Sequence, residues 1–445
     1  MDDRARLELI RKYRLVGDPK TGLIAATFGF FVGFAAVALY GPAAKIFKEA
    51  MGLSGFLLGL LVAASQLTGS LLRIPFGAWV DKVGGKKPLL TLLILSIIGM
   101  AGISAILLLY YPHGLDFSLY PAILIFGFLA GCGVATFSVG IPQTSYWYPK
   151  SRQGWALGTY AGLGNTAPGI FTLIIPYALL YLGLTGAYVA WFIFLLIGTI
   201  IYLIIAHDAY YFQLIKQGLP REESISVARE LGQELFPSGR LIDALKISAR
   251  INRTWALVFL YFTSFGGFLA LTTWFPAYWT LYHGLDLGTA GIFTAVFFSL
   301  LASLIRVYGG ALSDKIGGEN TAILSFILVL VGAIVMILTG TILPLSYILG
   351  LIGSIIIGLG MGIANAAVFK LVPKYVPEAV GGASGWVGGL GAFGGFVVPP
   401  ILGAFVDIYR GMGLGDIGFS IGFIVYVLLA LTCLGISYIL KKMFR

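Results

Sequence analysis

The sequence predicts an all-α membrane protein of twelve transmembrane helices, arranged as two pseudo-symmetric six-helix bundles. Three observations support this fold class: a mean hydropathy of +0.94, a charged share of only 11% over 445 residues, and an internal repeat that relates the two halves. Soluble domains carry about 25% charged residues, so the low share here is typical of a surface that faces lipid. The composition therefore excludes an ordinary soluble domain.

Apolar segments long enough to cross a membrane recur twelve times along the chain. A helix needs about twenty such residues to cross roughly 30 Å of hydrocarbon. The polar segment 207–254 separates six spans from six, which predicts an N-terminal six-helix bundle at 1–206, a cytoplasmic linker at 207–254 and a C-terminal six-helix bundle at 255–445. The predicted spans lie near 22–44, 55–80, 88–111, 119–143, 154–182, 187–206, 255–281, 288–312, 321–341, 346–371, 384–407 and 417–440.

The positive charges predict a topology. All but five of the 29 Lys and Arg residues fall on one side of the membrane; Lys45, Lys48 and Arg410 fall on the other, and Arg73 and Arg306 lie within spans. Since cytoplasmic loops carry an excess of Lys and Arg, both termini are predicted to be cytoplasmic, in a plasma or inner membrane. The net charge of +10 thus follows the topology and does not indicate nucleic-acid binding. No cleavage site follows the first span, so we expect a retained helix and not a signal peptide.

Two segments repeat between the halves. Residues 70–85 read SLLRIPFGAWVDKVGG and residues 303–318 read SLIRVYGGALSDKIGG, with nine of sixteen positions identical. A second pair matches Gly158 to Gly385 and Gly164 to Gly391. Spans 2 and 5 therefore correspond to spans 8 and 11, which predicts parallel repeats about an axis along the membrane normal.

The turns after spans 2 and 8 carry the same short motif. The first copy, G-A-W-V-D-K-V-G-G-K-K, resembles the signature loop of the major facilitator superfamily, and the second loses its final basic pair to Glu319 and Asn320. We interpret the motif as a conformational switch, because its acid can cap a neighbouring helix end in one conformation only. The alternative is a tight turn with stop-transfer charges. The switch residues are Asp81, Lys82, Asp314 and Lys315.

Arg73 and Arg306 each precede the motif aspartate by eight residues, about 12 Å along a helix. That depth is near the middle of the hydrocarbon, where a charged side chain indicates function. No acidic residue is central in any predicted span, so the two cations predict an anion site; the alternatives are snorkelling and a structural ion pair. Arg binds a small planar oxyanion through paired N–H donors, which Lys cannot reproduce.

The absence of a central acid or histidine bears on the mechanism. Proton-coupled carriers need a titratable group in the pathway. We therefore expect exchange of one anion for another. If the two guanidinium groups stood about 8 Å apart in the empty site, they would repel by about 2 kcal/mol at a dielectric of 20. Such a site would resist closing without an anion.

Three longer segments carry a resemblance to a known family. They are Y-A-G-L-G-N-T-A-P-G at 160–169, G-G-L-G-A-F-G-G-F-V-V-P at 388–399 and N-A-A-V-F-K-L-V-P at 365–373. Together they are similar to the nitrate/nitrite porter family (NarK-type) of the major facilitator superfamily, over the whole length from span 1 to span 12. The resemblance implies the major facilitator fold and a site for a small inorganic anion.

The same resemblance implies roles for individual residues. Arg73 and Arg306 match the arginines that clamp the substrate, and Asn165 matches a signature asparagine that hydrogen-bonds the anion. Tyr261 and Phe265 match aromatic residues of span 7, and Phe137 matches one of span 4. The glycine signatures, which we expect to allow close helix approach, comprise Gly162, Gly164, Gly169, Gly389, Gly391, Gly394 and Gly395. Two positions depart from the family, because Tyr160 and Thr136 stand where asparagine is common.

The leading hypothesis is a nitrate/nitrite antiporter that works by alternating access, with nitrate or nitrite held between the two arginines. Alternatives are a proton-coupled nitrate symporter, a carrier of another small anion such as a carboxylate, and an anion receptor that does not transport. An enzyme is not expected, because no nucleophile–base or metal constellation occurs. We expect no cofactor, no nucleic-acid partner, the lipid bilayer as surroundings and a monomer.

Overall fold

The computed structural model describes residues 3–237, 241–340 and 346–443. Within these ranges ten helical stretches are long and apolar enough to cross a membrane. Several of them contain short 3₁₀ or π segments, which bend the helix without ending it. The ten stretches are Pro19–Ala38, Lys86–Tyr110, Phe117–Ser145, Lys150–Ile205, Asn252–Tyr282, Leu287–Ile316, Gly318–Leu338, Tyr347–Tyr375, Pro377–Gly411 and Gly415–Met443.

Two features of the backbone bring the number of spans to twelve. The stretch Lys150–Ile205 turns at Gly183, whose φ of 68° and ψ of 178° are not helical, so 150–182 and 184–205 are separate spans. A further span consists of three short helices in succession, Gly55–Val62, Ala64–Leu71 and Arg73–Val83. The prediction of twelve spans is confirmed, and we number them 1 to 12 in chain order.

The predicted boundaries are wrong in a few places. Span 1 ends at Ala38 and not at 44, because the chain turns at 39–43 before a short helix at Ala44–Met51. Span 11 begins at Pro377, earlier than predicted. The predicted limits at residues 1, 341 and 445 lie outside the described residues.

Both the N-terminal helix, Asp3–Lys12, and the linker lie at one end of the molecule. The linker contains helices Tyr210–Lys216, Arg221–Glu230 and Leu241–Ala249. In the linker, the Tyr210 hydroxyl donates a hydrogen bond to the backbone carbonyl of Gly17 at 2.8 Å. The side-chain amide of Gln217 donates to the backbone carbonyl of Tyr13 at 2.9 Å. We call this end the terminus side. The opposite end, with helix Ala44–Met51 and the turns at Gly183 and Gly413, is called the far side.

The two halves meet along two pairs of spans. Spans 2 and 11 pack on each other, as do spans 5 and 8, and glycines allow their backbones to approach on the far side. Large apolar side chains on the outer faces of the spans, such as Leu109, Tyr181 and Val307, are exposed. This surface matches a lipid environment.

Candidate functional site

Arg73 lies at the boundary between the two halves. It is the first residue of the helix Arg73–Val83 in span 2 and is only 2% exposed. Its guanidinium donates through Nε to the carbonyl of Gly69 at 3.1 Å and through Nη1 to the carbonyl of Gly388 at 3.1 Å. Gly388 belongs to span 11, so one side chain connects the halves. Nη2 is buried without a hydrogen-bond partner among the described residues.

Two aromatic rings contact the same guanidinium. Its carbon lies 4.9 Å from the ring centroid of Phe137 in span 4 and 5.1 Å from that of Phe265 in span 7. The two rings are stacked with centroids 6.1 Å apart and an interplanar angle of 28°. Cation–π attraction to these two rings compensates part of the cost of burying the charge.

Tyr261 extends this aromatic cluster toward Arg306. Its ring stacks on Phe265 at 5.0 Å and meets Phe369 of span 10 edge-on at 4.8 Å. The hydroxyl is buried and interacts electrostatically with both Arg306 and Arg73, although it makes no hydrogen bond of regular geometry. Phe265 lies in a π-helical segment, Phe262–Gly266, and such segments are frequent at functional sites.

Arg73 and Arg306 line one cavity of about 530 Å³. Arg306, in span 8, is half-buried. No carboxylate of the described residues forms an ion pair with either arginine. The cavity reaches Asp81 and Leu245 on the terminus side, so it opens toward that side. Other lining residues are Ile74, Gly77, Ala78, Phe137, Ser138, Ile141, Pro142, Leu157, Ala161, Phe369, Gly381, Ser384, Gly385, Gly388 and Gly389.

Three of the residues predicted to bind the substrate do not line the cavity in this conformation. Tyr261 and Phe265 contact the site's other residues without lining the cavity itself. Asn165 in span 5 donates its Nδ2 to the carbonyl of Ala161 at 2.7 Å, while its Oδ1 is buried without a partner in the described part of the chain. Its own carbonyl accepts from Ser303 of span 8 at 3.2 Å, which connects the halves a second time.

The two copies of the turn motif have different surroundings. The carboxylate of Asp81 accepts from the Tyr146 hydroxyl at 2.6 Å and lines the cavity, and Lys82 lines a neighbouring cavity against the linker helix. Asp314 is exposed and pairs with Lys370 of span 10 at 2.6 Å, and Lys315 is exposed. The repeated sequence therefore forms two unequal structures.

Where the second copy loses its basic pair, the chain has a different contact. The carboxylate of Glu319 pairs with the Lys374 ammonium and accepts from the Tyr375 hydroxyl at 2.5 Å. Span 9 is thereby joined to span 10 inside the C-terminal half. Sequence reasoning missed this contact, and it also missed Phe369, although that residue lies within the segment 365–373.

Six of the seven signature glycines have no room for a side chain. A Cβ on Gly164 would lie 1.9 Å from Phe30, and one on Gly394 would lie 2.5 Å from the carbonyl of Phe262. Gly162 differs, since nothing lies within 4 Å of its missing Cβ. The other glycines without room are Gly169, Gly389, Gly391 and Gly395.

Relatives of the chain are named as transporters. It matches the Major Facilitator Superfamily over residues 26–399. It is 31% identical to the "probable nitrate/nitrite antiporter NarK1" of Thermus thermophilus, covering 100% of this chain and 95% of that protein. It is 28% identical to the "probable nitrate/nitrite transporter NarK2" of Mycobacterium tuberculosis, covering 92% and 93%. The "probable nitrate transporter NarT" of Staphylococcus aureus is also 28% identical, covering 85% and 87%.

Solved structures agree with the fold. The xylose transporter XylE from E. coli, in a partially occluded inward-open conformation, matches with a TM-score of 0.71 at 13% identity, covering 96% of this chain and 98% of that one. A bacterial homolog of the human lysosomal transporter Spinster matches with a TM-score of 0.68 at 16% identity, covering 96% and 97%. Such proteins are membrane transporters and not enzymes. The chain belongs to the major facilitator superfamily and, within it, to the nitrate/nitrite porter family.

Proposed function

We propose that the chain exchanges nitrate and nitrite across a cell membrane by alternating access, with the anion held between Arg73 and Arg306. One observation carries the proposal: arginines from symmetry-related spans line the same cavity, and no described carboxylate pairs with either. A buried and a half-buried cation, neither with a carboxylate partner among the described residues, favour a bound anion. The relatives' printed names supply its identity.

The geometry around Arg73 favours a small planar monoanion. Nη2 has no partner, and a guanidinium presents its N–H groups in the plane that carboxylate-like and nitrate-like oxygens match. The Phe137 and Phe265 rings are 6.1 Å apart, whereas a planar ion between them would need about 7 Å, twice the contact distance of carbon atoms. A separation of the rings by about 1 Å would admit nitrate or nitrite, while a bulkier anion would need more.

Alternating access requires the two ends of the interface to open in turn. In the present conformation the far side is closed by contacts between backbones, and the cavity opens on the terminus side. We propose that the terminus side is cytoplasmic, as the distribution of Lys and Arg predicts. The proposed units are 1–206, 207–254 and 255–445, in a monomer within the plasma or inner membrane.

Exchange is supported by the small number of titratable groups in the cavity. Among the described lining residues, Asp81 is the carboxylate, and it lies about 12 Å along span 2 from Arg73, near the terminus side. An empty site keeps two like charges facing one cavity, which opposes closure until an anion neutralises them. Return of the carrier would then require a second anion.

A counterflow experiment tests this mechanism. The purified protein is placed in liposomes loaded with nitrite, and uptake of labelled nitrate is measured against liposomes loaded with chloride. We expect rapid uptake with internal nitrite and little with chloride. Nitrate uptake that is the same with and without internal nitrite would refute the exchange mechanism. An absence of nitrate uptake under all conditions would refute nitrate as the substrate.

A proton-coupled symport of nitrate is the second candidate, because Asp81 lines the same cavity. The same liposomes distinguish it. An inward proton gradient without internal nitrite should drive concentrative uptake if protons are coupled, and should have no effect if anions exchange. An excess of external formate or acetate tests for a carboxylate substrate, which would compete with the label.

A further inference from the structure

The hydroxyl of Tyr160 forms hydrogen bonds with the backbone of span 4, the span that contains Phe137. Tyr160 is completely buried in span 5. Its hydroxyl donates to the carbonyl of Phe137 at 2.7 Å and lies 3.2 Å from that of Thr136. Because these carbonyls follow the 3₁₀ segment Gly131–Ala135, the hydrogen bonds hold span 4 where its helix changes pitch.

The surroundings of Tyr160 allow this one position of the ring. Its face lies 5.0 Å from Phe30 of span 1, which in turn contacts Phe137 at 5.3 Å. In span 4, the absence of a side chain at Gly140 makes room for the Tyr160 hydroxyl, because a Cβ on Gly140 would lie 2.3 Å from the hydroxyl oxygen. The hydroxyl therefore points at the backbone of span 4 and not into the cavity.

The residues that Tyr160 holds are those that hold Arg73. Phe137 lies under the guanidinium at 4.9 Å, and its neighbour Ser138 donates its hydroxyl to the backbone carbonyl of Arg73 at 2.9 Å. A shift of span 4 would therefore move both the Phe137 ring that contacts the guanidinium and the Ser138 hydroxyl that bonds to the Arg73 backbone. Displacements of about 1 Å at supporting residues are enough to impair a binding site.

We propose that Tyr160 is a positioning residue for the anion site, which it orders through Phe137 and Ser138 without contacting the anion. This inference rests on the proposed function. It accounts for an aromatic residue at a position where the family commonly has asparagine, since a ring is needed to reach the carbonyls across Gly140.

The test compares Tyr160→Phe with Tyr188→Phe. Tyr188 is also fully buried, and its hydroxyl donates to the carbonyl of Leu39 at 2.6 Å, away from the arginines, so the control loses the same kind of hydrogen bond. In nitrate counterflow we expect Tyr160→Phe to raise KM about fivefold, the effect of one buried hydrogen bond, with kcat nearly unchanged. Tyr188→Phe should leave KM unchanged.

Equal KM values in the two variants would refute the positioning role while leaving the proposed function intact. If the unmodified protein takes up no nitrate, the proposed function fails and the positioning role fails with it. Should Tyr160→Phe not insert, Ser138→Ala removes the next bond in the same path and must raise KM in the same direction. An unchanged KM in Ser138→Ala would then refute the inference.

A separate observation concerns the far side. The carboxylate of Asp407 in span 11 accepts hydrogen bonds from two backbone N–H groups of span 2, those of Gly55 at 2.5 Å and Phe56 at 2.8 Å. These groups are at the start of the helix Gly55–Val62, where N–H groups lack partners inside the helix. A residue from one half thereby caps a helix of the other.

The backbones around this cap are in direct contact. A Cβ on Gly403 would lie 1.9 Å from the carbonyl oxygen of Gly55, and a Cβ on Gly59 would lie 2.3 Å from that of Pro399. No side chain stands between the helices here, so opening of the far side would separate the carboxylate from its donors. The released carboxylate has Lys48 nearby, which already interacts with it electrostatically.

We infer that Asp407 is a latch that favours the closed far side whichever anion is carried. The negative charge interacts with the positive end of the span 2 helix dipole as well as with the two N–H groups, and both interactions are lost when the halves part. The latch has its counterpart at the terminus side, where Asp81 faces the start of span 11 across the open cavity.

Spin labels at Glu49→Cys and Met412→Cys, with Cys132 and Cys433 replaced by Ser, measure the width of the far side by pulsed dipolar spectroscopy. Asp407→Asn should increase about fivefold the fraction of molecules in which the two labels are far apart, that is, in which the far side is open. The control Asp416→Asn removes an exposed partner of Arg410 on the same side and should change nothing. Asp407→Glu, which keeps the charge, should restore part of the short distance.

Identical distance distributions in Asp407→Asn and Asp416→Asn would refute the latch. If Asp407→Asn does not insert, Asp407→Ser, which retains one acceptor oxygen, is measured in its place and must again widen the far side. The measurement needs no substrate, so its result is independent of the proposed function.

Discussion

Spans 2 and 11 face each other along their whole length, but their two ends differ. On the far side their backbones touch, at Gly55 with Gly403 and at Gly59 with Pro399. On the terminus side the same helices are separated by the cavity, and a Cβ on Gly388 would meet nothing nearer than Phe369 at 3.8 Å. Arg73 lies at the boundary, where its Nη1 reaches the carbonyl of Gly388.

Spans 5 and 8 repeat this pattern. On the far side Gly169 contacts Leu300 and Gly291 contacts Pro176, whereas Ala161 and Arg306 line the cavity on the terminus side. We propose from this difference that glycines in these four spans have two functions. Those on the far side allow backbone contact in this conformation, and those on the terminus side leave room for the contact that the other conformation would make.

The largest expected effect is at the boundary between the two ends. Arg73→Lys and Arg306→Lys should each reduce nitrate transport by about 100-fold or more, because an ammonium cannot replace the paired, planar donors of a guanidinium. Uptake in proteoliposomes is the measurement. Arg410→Lys, at an exposed pair with Asp416 on the far side, is the matched control and should retain activity. Activity retained in Arg73→Lys would remove that residue from the site.

Gly403→Ala should break the closed end. Its Cβ would lie 1.9 Å from the Gly55 oxygen, so the far side could close only after a backbone shift. We expect transport to fall about tenfold, at a cost typical of overpacking, and the far-side distance between spin labels to increase. Gly411→Ala, in the same span with open space around its missing Cβ, serves as the control. Normal activity of Gly403→Ala would show that the contact is dispensable.

Gly388→Ala tests the open end of the same pair of spans. There is room for the methyl group in this conformation, so the thermal unfolding temperature in detergent should be unchanged or slightly raised. Turnover should fall a few-fold, because in the proposed alternating-access cycle the opposite conformation would bring span 2 against this position. A lowered unfolding temperature would contradict the open end described here.

The smallest effect is expected at the second turn motif. Asp314 and Lys370 form an exposed ion pair, and such pairs stabilise by less than about 1 kcal/mol. Asp314→Asn should therefore leave the unfolding temperature within about 2 °C and transport nearly unchanged. Asp81→Asn, which removes a carboxylate from the cavity wall, should reduce turnover more. Equal effects in the two variants would mean that the repeated turns act alike.

Much of the architecture could be predicted from the sequence, because the membrane makes simple demands on each span. Length and hydropathy located the twelve spans, including the break between 154–182 and 187–206 that the structure has at Gly183. The prediction extends span 1 too far, because residues 39–43 are apolar although they form a turn. The π and 3₁₀ segments were not predicted, because their hydropathy does not differ from that of a regular helix.

The number of spans, the division into related halves and the unusual position of Arg73 and Arg306 can all be predicted from the amino-acid sequence, because each follows from a local pattern or from the repeat. Which atoms meet depends instead on how distant segments pack together. Phe369, Tyr146 and Asp407 acquire their roles from residues far away in the chain, and no periodicity records such neighbours. The difference between the two turn motifs also depends on tertiary packing. Both contain the same Asp–Lys pair, but different helices pack around each copy.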